Sequence, residues 1–151
     1  MTAKDENNTS DADKLSQNIK NMGFLDKMFG NSDSKDTTDN GVNWTALTQL
    51  QQLDTLVEES AQTPIIIFKH STRCPVSRMA LKSFENEYGI EEGSAKPYFL
   101  DLIAHRDVSN EIASRFNVVH QSPQVLVIKN GQSVYDESHD GIDAGVVKGK
   151  V

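Results

Sequence analysis

The feature of this sequence that most constrains its fold is an apolar run that leads into a cysteine–proline pair. Residues 65–68 are Ile, Ile, Ile and Phe, and the strand breaker Pro64 precedes them. A β-branched run of this kind, with no polar alternation, is typical of a strand that is covered on both faces. The polar residues 69–73 are expected to close the strand. Pro75 suits the first position of a helix, where its missing N–H group is no loss. The stretch therefore predicts a buried strand, a short loop and a helix.

Cys74, which precedes this proline, is expected to occupy the N-cap of the helix. The free N–H groups of the first turn and the positive end of the helix dipole would then face its sulfur and favour the thiolate, the nucleophilic form. The neighbouring cations Lys69, Arg73 and Arg78 are expected to act in the same direction. Beyond the proline, one mostly apolar stripe recurs at helical spacing. It consists of Val76, Met79, Ala80, Ser83, Phe84 and Tyr88.

The composition divides the chain into a tail and a domain. The chain has 151 residues, a formal net charge of −7 and 36% hydrophobic residues, a low share that predicts a partly disordered chain. Residues 1–41 are polar and are expected to form a disordered tail, whereas residues 42–151 are expected to form one domain. Within the tail, residues 15–29 have apolar positions at helix-like spacing. This amphipathic island would be either a fluctuating helix with no fixed partner or a docking or membrane-surface helix.

The sequence also argues against several classes of protein. No stretch approaches the roughly 20 apolar residues of a membrane span. The polar, acidic start shows no secretory signal pattern, so a cytoplasmic location is expected. The single cysteine excludes an internal disulfide and a multi-cysteine metal site, and no metal is expected. The acidic charge balance gives no support for nucleic-acid binding.

The remaining strands are predicted from local patterns. Residues 42–47 alternate loosely and are expected to form an edge strand, and residues 97–102 are expected to form a third strand. The runs 124–129 and 132–135 flank an Asn-Gly pair, which is the strongest short signal for a hairpin turn.

Helices are expected between these strands. Thr48 is predicted to cap a helix that ends near Ala61, and Asp107 is predicted to cap another. After His139 only a frayed C-terminal helix is expected, because glycines spaced four apart weaken it. This order of elements predicts an α/β fold in which helices cover both faces of a mixed central sheet.

Two strings of residues resemble a known family. The string FKHSTRCPVS at residues 68–77 closely resembles the YtxJ-type monothiol bacilliredoxins, and its CPVS part resembles the active site of the thioredoxin superfamily with serine in the fourth position. The string RFNVVHQSPQVLVIKNG at residues 115–131 resembles the thioredoxin segment that leads through a cis-proline into a hairpin. The likeness covers roughly residues 42–139. It implies a thioredoxin-like fold in which the Ser122-Pro123 bond would be cis.

The resemblance also implies a chemistry. The family's activity is that of a thiol–disulfide oxidoreductase of redox homeostasis, which removes bacillithiol from S-bacillithiolated client proteins and uses bacillithiol as its thiol co-substrate. Cys74, Pro75 and Ser77 would be the catalytic residues. Ser77 stands where most of the superfamily has a second cysteine, so Cys74 would carry one small thiol from one partner to another.

The residues expected to bind the substrate form two groups. Bacillithiol carries a malate and is anionic, so a basic rim of Lys69, Arg73 and Arg78 would suit it. The backbone at Ser122 and Pro123 would lie beside the nucleophile and pair with a substrate chain. The three cations would otherwise be solvated charges with no ligand.

Several alternatives remain open at this point. His70 would be a base, a metal ligand or a loop residue that makes only local hydrogen bonds. Ser77 would be either an ordinary first-turn residue or a hydrogen-bond donor to the Cys74 sulfur. As a whole, the chain would alternatively be a non-catalytic thioredoxin-fold redox sensor or interaction module. A peroxidase is disfavoured, because residues 72–73 do not form the Thr and Arg constellation of such enzymes.

Overall fold

The computed structural model of the chain describes residues 42–151, in which strands and helices alternate up to the last two strands. The strands are β1 (Thr45–Ala46), β2 (Ile65–His70), β3 (Lys96–Asp101), β4 (Gln124–Lys129) and β5 (Gln132–Ser138). The α-helices are α1 (Gln51–Glu59), α2 (Pro75–Asn86), α3 (Arg106–Arg115) and α4 (Ala144–Lys148), and a short 3-10 helix spans His139–Gly141. The tail predicted for residues 1–41, with its island at 15–29, lies outside the described residues.

The strands form one mixed sheet in the order β1-β3-β2-β4-β5. β3 pairs in parallel with both β1 and β2, whereas β4 pairs antiparallel with both β2 and β5. β2 is therefore the central strand and has a hydrogen-bonded neighbour on each side. The predicted mixed sheet with flanking helices is confirmed.

Each face of the sheet carries its own apolar core. Side chains alternate along β2, so that Ile65 and Ile67 pack with α1 and α3, whereas Ile66 and Phe68 pack with α2 and α4. All six residues of β2 are buried, which confirms the prediction of a strand that is covered on both faces. This strand is the fixed base from which the loop to Cys74 departs.

The end of β2 differs from the prediction. Residues 69–73 were expected to close the strand, but Lys69 and His70 continue it and are both buried. Lys69 pairs with Leu100 of β3 and with Gln124 of β4, and His70 pairs with Asp101 of β3. Lys69 is therefore held in the sheet from both sides, whereas His70 is held by β3 alone.

The buried face of α2 also differs from the predicted stripe. Val76 is 47% exposed and Met79 is 74% exposed, although both were expected on the apolar face. Ser77 and Phe84 are the buried residues of the helix. Ala80, Phe84 and Tyr88 of the predicted stripe do pack against the core. In the first turn Ser77 takes the inward position, where its hydroxyl finds hydrogen-bond partners.

The two predicted helix caps are wrong. The N-cap of α1 is Leu50 and that of α3 is His105, and neither side chain makes a capping hydrogen bond. The Thr48 N–H group donates instead to the side-chain oxygen of Gln52 at 2.7 Å. Asp107 lies inside the first turn of α3. In the segment before this helix, Asp101 accepts a hydrogen bond from the Ile103 N–H group at 3.1 Å.

The hairpin and the C-terminal helix are confirmed, with revised bounds. β4 and β5 flank the turn at Asn130 and Gly131, whose φ angles of 50° and 74° are both positive, as a tight hairpin turn requires. The predicted C-terminal helix is the five-residue α4, and the Asp143 side chain caps it by accepting from the Gly145 N–H group at 2.7 Å. Among residues 42–151, no helix has the length and apolar character that a membrane crossing requires.

Candidate functional site

Cys74 lies at the junction between the loop after β2 and helix α2. It is the N-cap residue, in an extended conformation with φ −101° and ψ 119°, and Pro75 begins the helix. The Cys74 N–H group donates to the Ser71 carbonyl at 3.2 Å, and the Cys74 carbonyl accepts from the Arg78 N–H group at 3.1 Å. The thiol is free, half-buried and makes no capping hydrogen bond. The predicted N-cap position of Cys74 is confirmed, so the residue lies at the positive end of the helix dipole.

Ser77 lies under the first turn of α2 and is fully buried. Its hydroxyl oxygen accepts a hydrogen bond from the Ser71 N–H group at 3.0 Å and lies 2.8 Å from Nδ1 of His70. Ser77 thus joins the helix to the loop and to the end of β2. Its position one turn after Cys74 is where a second thiol would be enclosed, if the chain had one.

His70 is the last residue of β2. One of the roles predicted for it placed it in the loop after the strand. Its side chain is only 5% exposed and its ring lies 5.5 Å from that of Phe99. Burial lowers the pKa of His70, although the carboxylates of Asp101 and Glu85 act in the opposite direction. The ring is therefore mostly neutral at pH 7. Among residues 42–151, no group of three or more His, Cys, Asp or Glu side chains is arranged to hold a metal ion.

Lys69 is turned to the other face of the sheet, towards α3. The residue is fully buried, and its ammonium group lies 2.7 Å from Nδ1 of His120. Ser109 of α3 places its hydroxyl 3.3 Å from the same nitrogen. Burial lowers the pKa of Lys69 to about 8. None of the ion pairs among residues 42–151 includes Lys69, so its ammonium has a neutral partner only.

The other predicted cations lie on the surface around Cys74. Arg73 and Arg78 are both exposed, Arg73 in the loop and Arg78 in α2. Both side chains are therefore open to solvent. Lys69 is hydrogen-bonded to His120, so a direct contact between Lys69 and a ligand would require movement of the His120 loop.

The Ser122-Pro123 bond is cis, as the resemblance implies. Gln124 pairs with Lys69, so the antiparallel register places Pro123 beside His70 at the end of β2. This is the end of the sheet from which the loop to Cys74 departs. The Pro123 carbonyl accepts from the His139 N–H group at 3.1 Å, and the buried Ser122 hydroxyl has no hydrogen-bond partner among the described residues.

The contacts of His120 and Gln124 were not predicted from the sequence. The Gln124 side chain is buried and donates to the Val119 carbonyl at 3.0 Å, which fixes the loop before Pro123. His120 is exposed, but it supplies the hydrogen-bond acceptor for Lys69. Both residues belong to the string at residues 115–131, but no local pattern in that string indicates their contacts.

Comparison with solved structures shows that the chain has a known fold. A candidate oxidoreductase with a thioredoxin fold is 30% identical, with a TM-score of 0.59, over 68% of this chain and 88% of that chain. The thioredoxin Mala s 13 of Malassezia sympodialis is 16% identical, with a TM-score of 0.56, over 72% of this chain and 87% of that chain. A redox protein from Chlamydomonas reinhardtii is 16% identical, with a TM-score of 0.53, over 69% of this chain and 34% of that chain. The fold is thioredoxin-like.

Comparison with protein families gives a closer assignment. The family described as monothiol bacilliredoxin BrxC matches residues 45–147. The match extends from β1 into α4 and includes Cys74, Ser77 and the cis-proline segment. With its thioredoxin fold and its CPVS motif, the chain belongs to the monothiol bacilliredoxin family.

Proposed function

We propose that this protein removes bacillithiol from S-bacillithiolated client proteins, with Cys74 as the nucleophile. The observation that carries this proposal is the environment of one helix end. Cys74 lies at the N-cap of α2, and the fully buried residue one turn later is Ser77, which cannot form a disulfide. A site of this kind can accept and release one small thiol but cannot close an internal disulfide.

The reaction has two exchange steps. In the first, the Cys74 thiolate attacks the bacillithiol sulfur of the mixed disulfide, the bond to the client sulfur breaks, and the client leaves as a thiolate that takes a proton from solvent. In the second, the thiolate of free bacillithiol attacks the bacillithiol sulfur carried by Cys74. This step releases bacillithiol disulfide and restores the Cys74 thiolate. The electrons gained by the client come from the attacking bacillithiol.

The surrounding residues have distinct roles in this proposal. Pro75 starts α2 directly after the nucleophile, so that Cys74 lies at the N-terminal end of the helix. The exposed Arg73 and Arg78 attract the anionic malate of bacillithiol. Lys69 donates a hydrogen bond to His120 and holds it in place before the cis-proline segment.

The client chain binds at the cis-proline segment in this proposal. The Ser122 and Pro123 backbone lies at the sheet end where the loop to Cys74 departs, and it would pair with the client backbone next to the modified cysteine. We propose that this reaction takes place in the cytoplasm and contributes to redox homeostasis. It needs bacillithiol as co-substrate and no metal.

A comparison of two forms of one client tests the proposal. The client is presented either as a bacillithiol mixed disulfide or with an internal disulfide, and bacillithiol is the only reductant. We expect turnover of the first form only, because release of the second form needs a tethered second thiol. Rapid turnover of both forms would contradict the monothiol mechanism. Turnover of neither form, with Cys74 still open to alkylation, would favour a redox sensor.

Ser77→Cys is the matched control variant. It changes one side-chain atom at the buried position and creates a CPVC site. The variant should gain activity on the internally bonded client, because Ser77 occupies the position of a resolving thiol one turn from Cys74.

A further inference from the structure

The contact between Lys69 and His120 fixes which ring nitrogen of His120 carries its proton. The Lys69 ammonium has three N–H donors and no acceptor. It lies 2.7 Å from Nδ1 of His120, and the Ser109 hydroxyl lies 3.3 Å from the same nitrogen. Because an ammonium can only donate, Nδ1 is the acceptor and carries no proton. The neutral ring therefore carries its proton on Nε2.

Nε2 of His120 is a hydrogen-bond donor without a partner among residues 42–151, since both hydrogen bonds of the ring use Nδ1. Nδ1 is directed to the fully buried Lys69, whereas His120 as a whole is exposed. A hydrogen bond from an ammonium polarises the ring and strengthens its other N–H group as a donor. His120 thus presents one defined, polarised donor for a partner from outside the domain.

The charges that act on His120 are positive. Burial lowers the pKa of His120 most, and the charges of Lys69 in β2 and Arg106 in α3 lower it further. No carboxylate of the described residues is among these influences. None of the ion pairs among residues 42–151 includes Lys69 or Arg106. In a chain with a net charge of −7, a group of basic side chains without a counter-ion is suited to an anion from another molecule.

The loop that carries His120 is held at the cis-proline segment. The Gln124 side chain accepts from the Gln121 N–H group at 3.4 Å and donates to the Val119 carbonyl at 3.0 Å. The bond to Lys69 anchors the ring of His120 between these two attachments. The free donor therefore has a fixed place next to the segment that leads into the cis-proline.

We propose that His120 and Arg106 form a subsite for a carboxylate of the client chain, with Lys69 as a positioning residue. The Nε2–H group of His120 donates to the carboxylate, and the guanidinium of Arg106 pairs with it. Lys69 remains buried and acts through Nδ1 of His120. A preferred client would therefore carry Asp or Glu close to its modified cysteine. The inference rests on the proposed function, in which the client binds at the cis-proline segment.

The position of the subsite favours the client over bacillithiol as the source of the carboxylate. Arg106 begins α3, which packs on one face of the sheet, whereas Arg78 lies in α2, which packs on the other face. The proposed function assigns the malate of bacillithiol to the α2 side. A client chain that follows the cis-proline segment meets His120 on the α3 side.

The first test measures carboxylate binding with L-malate as the probe and needs no turnover. NMR follows the ring nitrogens of His120 in the unaltered full-length protein at pH 7.5, while L-malate is added at constant ionic strength. We expect a proton on Nε2 and none on Nδ1 in the free protein, and a saturable shift at Nε2 with malate. A proton on Nδ1, or no saturable shift, would overturn the inference.

Three variants test the roles of the basic side chains. Lys69→Met should give a mixture of the two tautomers of His120 and weaken malate binding about tenfold. Arg106→Gln should keep the Nε2 tautomer and weaken binding about tenfold. Lys82→Gln is the matched control, because Lys82 is an exposed cation of α2, and binding should change by less than about twofold. Equal weakening by Lys82→Gln would show general charge attraction only and would overturn the subsite.

The second test identifies the source of the carboxylate. One set of bacillithiolated peptides places an Asp at successive positions on either side of the cysteine, and a matched set has Asn there. At one position or more, kcat/KM should be about tenfold higher with Asp for the unaltered protein. The preference should vanish in His120→Phe. If Arg106→Gln lowers kcat/KM equally for both sets, the malate is the source and the client assignment is wrong.

Two further measurements keep these outcomes distinct. If His120→Phe fails to fold because Lys69 has lost its acceptor, the combined variant Lys69→Met with His120→Phe replaces it. If neither peptide set turns over, the proposed function fails. The His120 shift with peptides that carry Ser in place of the modified cysteine then decides the inference. A shift with the Asp peptides alone would support it, and equal shifts with Asp and Asn peptides would overturn it.

Discussion

Among residues 42–151, Lys69 is a buried cation with a marked electrostatic cost. Its side chain is fully buried, its partner His120 is an uncharged acceptor, and burial lowers the pKa of Lys69 to about 8. The ordinary value of 10.5 applies in the unfolded chain. Between pH 8 and 10.5 the unfolded chain holds this proton more tightly than the folded protein does. The free energy of unfolding therefore rises with pH across this window, and the cost is fully present below pH 8.

Lys69→Met is expected to stabilise the protein at pH 7. The pKa change from 10.5 to about 8 corresponds to about 3 kcal/mol, and methionine fills a similar volume without a charge. We expect a gain of roughly 1–3 kcal/mol, because the His120 bond is lost. Urea unfolding at pH 7 measures the gain, which should shrink towards zero near pH 10.5.

Lys82→Met is the matched control for this prediction, because Lys82 is an exposed residue of α2. It should leave the free energy of unfolding nearly unchanged at both pH values. A lower free energy of unfolding for Lys69→Met at pH 7 would contradict the prediction, because it would show that the buried lysine stabilises the folded protein.

At the scale of elements, the buried face of α2 decides which residues hold the helix in place. Phe84 is 2% exposed and lies 5.4 Å from the ring of Phe68 in β2, whereas Met79 is 74% exposed. Phe84→Ala should cost about 3–5 kcal/mol of unfolding free energy, because it leaves a cavity in the core. Met79→Ala should change stability by no more than about 0.5 kcal/mol. Thermal and urea unfolding measure both, and equal losses would mean that Met79 is on the buried face.

The elements with strong local signals were predictable from the sequence. The apolar run of β2, Pro75 at the start of α2 and the turn at Asn130 and Gly131 were all found, because each depends on a few adjacent residues. The thioredoxin-like fold followed from their order and from the resemblance. Within the candidate site, the N-cap position of Cys74 was found for the same reason.

The parts that depend on distant segments were not predictable. In the sequence, Lys69 and His70 look like the polar end of a strand. Their burial depends on the neighbouring strands of the folded sheet. Ser77 is polar and was not expected on the buried face of α2. Its inward position depends on hydrogen bonds to Ser71 and His70. His120 gave no signal of its own, because its role depends on contact with a lysine 51 positions earlier.

At the scale of the whole molecule, residues 42–151 contain the sheet, both apolar cores and every residue assigned to the site. The sequence predicts a polar tail without a reactive group at residues 1–41. Deletion of this tail should therefore leave the rate of exchange with bacillithiol disulfide unchanged. Stopped-flow measurement of the full chain and the shortened chain tests this. A large loss of rate would mean that the tail takes part in the site.

The central claim is that Cys74 carries one bacillithiol during turnover. The most direct measurement is the intact mass of the protein after reaction with a bacillithiolated client and rapid acid quenching. We expect the mass of one bacillithiol on the unaltered protein, none on Cys74→Ser, and no disulfide between the protein and the client. Loss of bacillithiol from the client without this adduct, or with Cys74→Ser as active as the unaltered protein, would contradict the account.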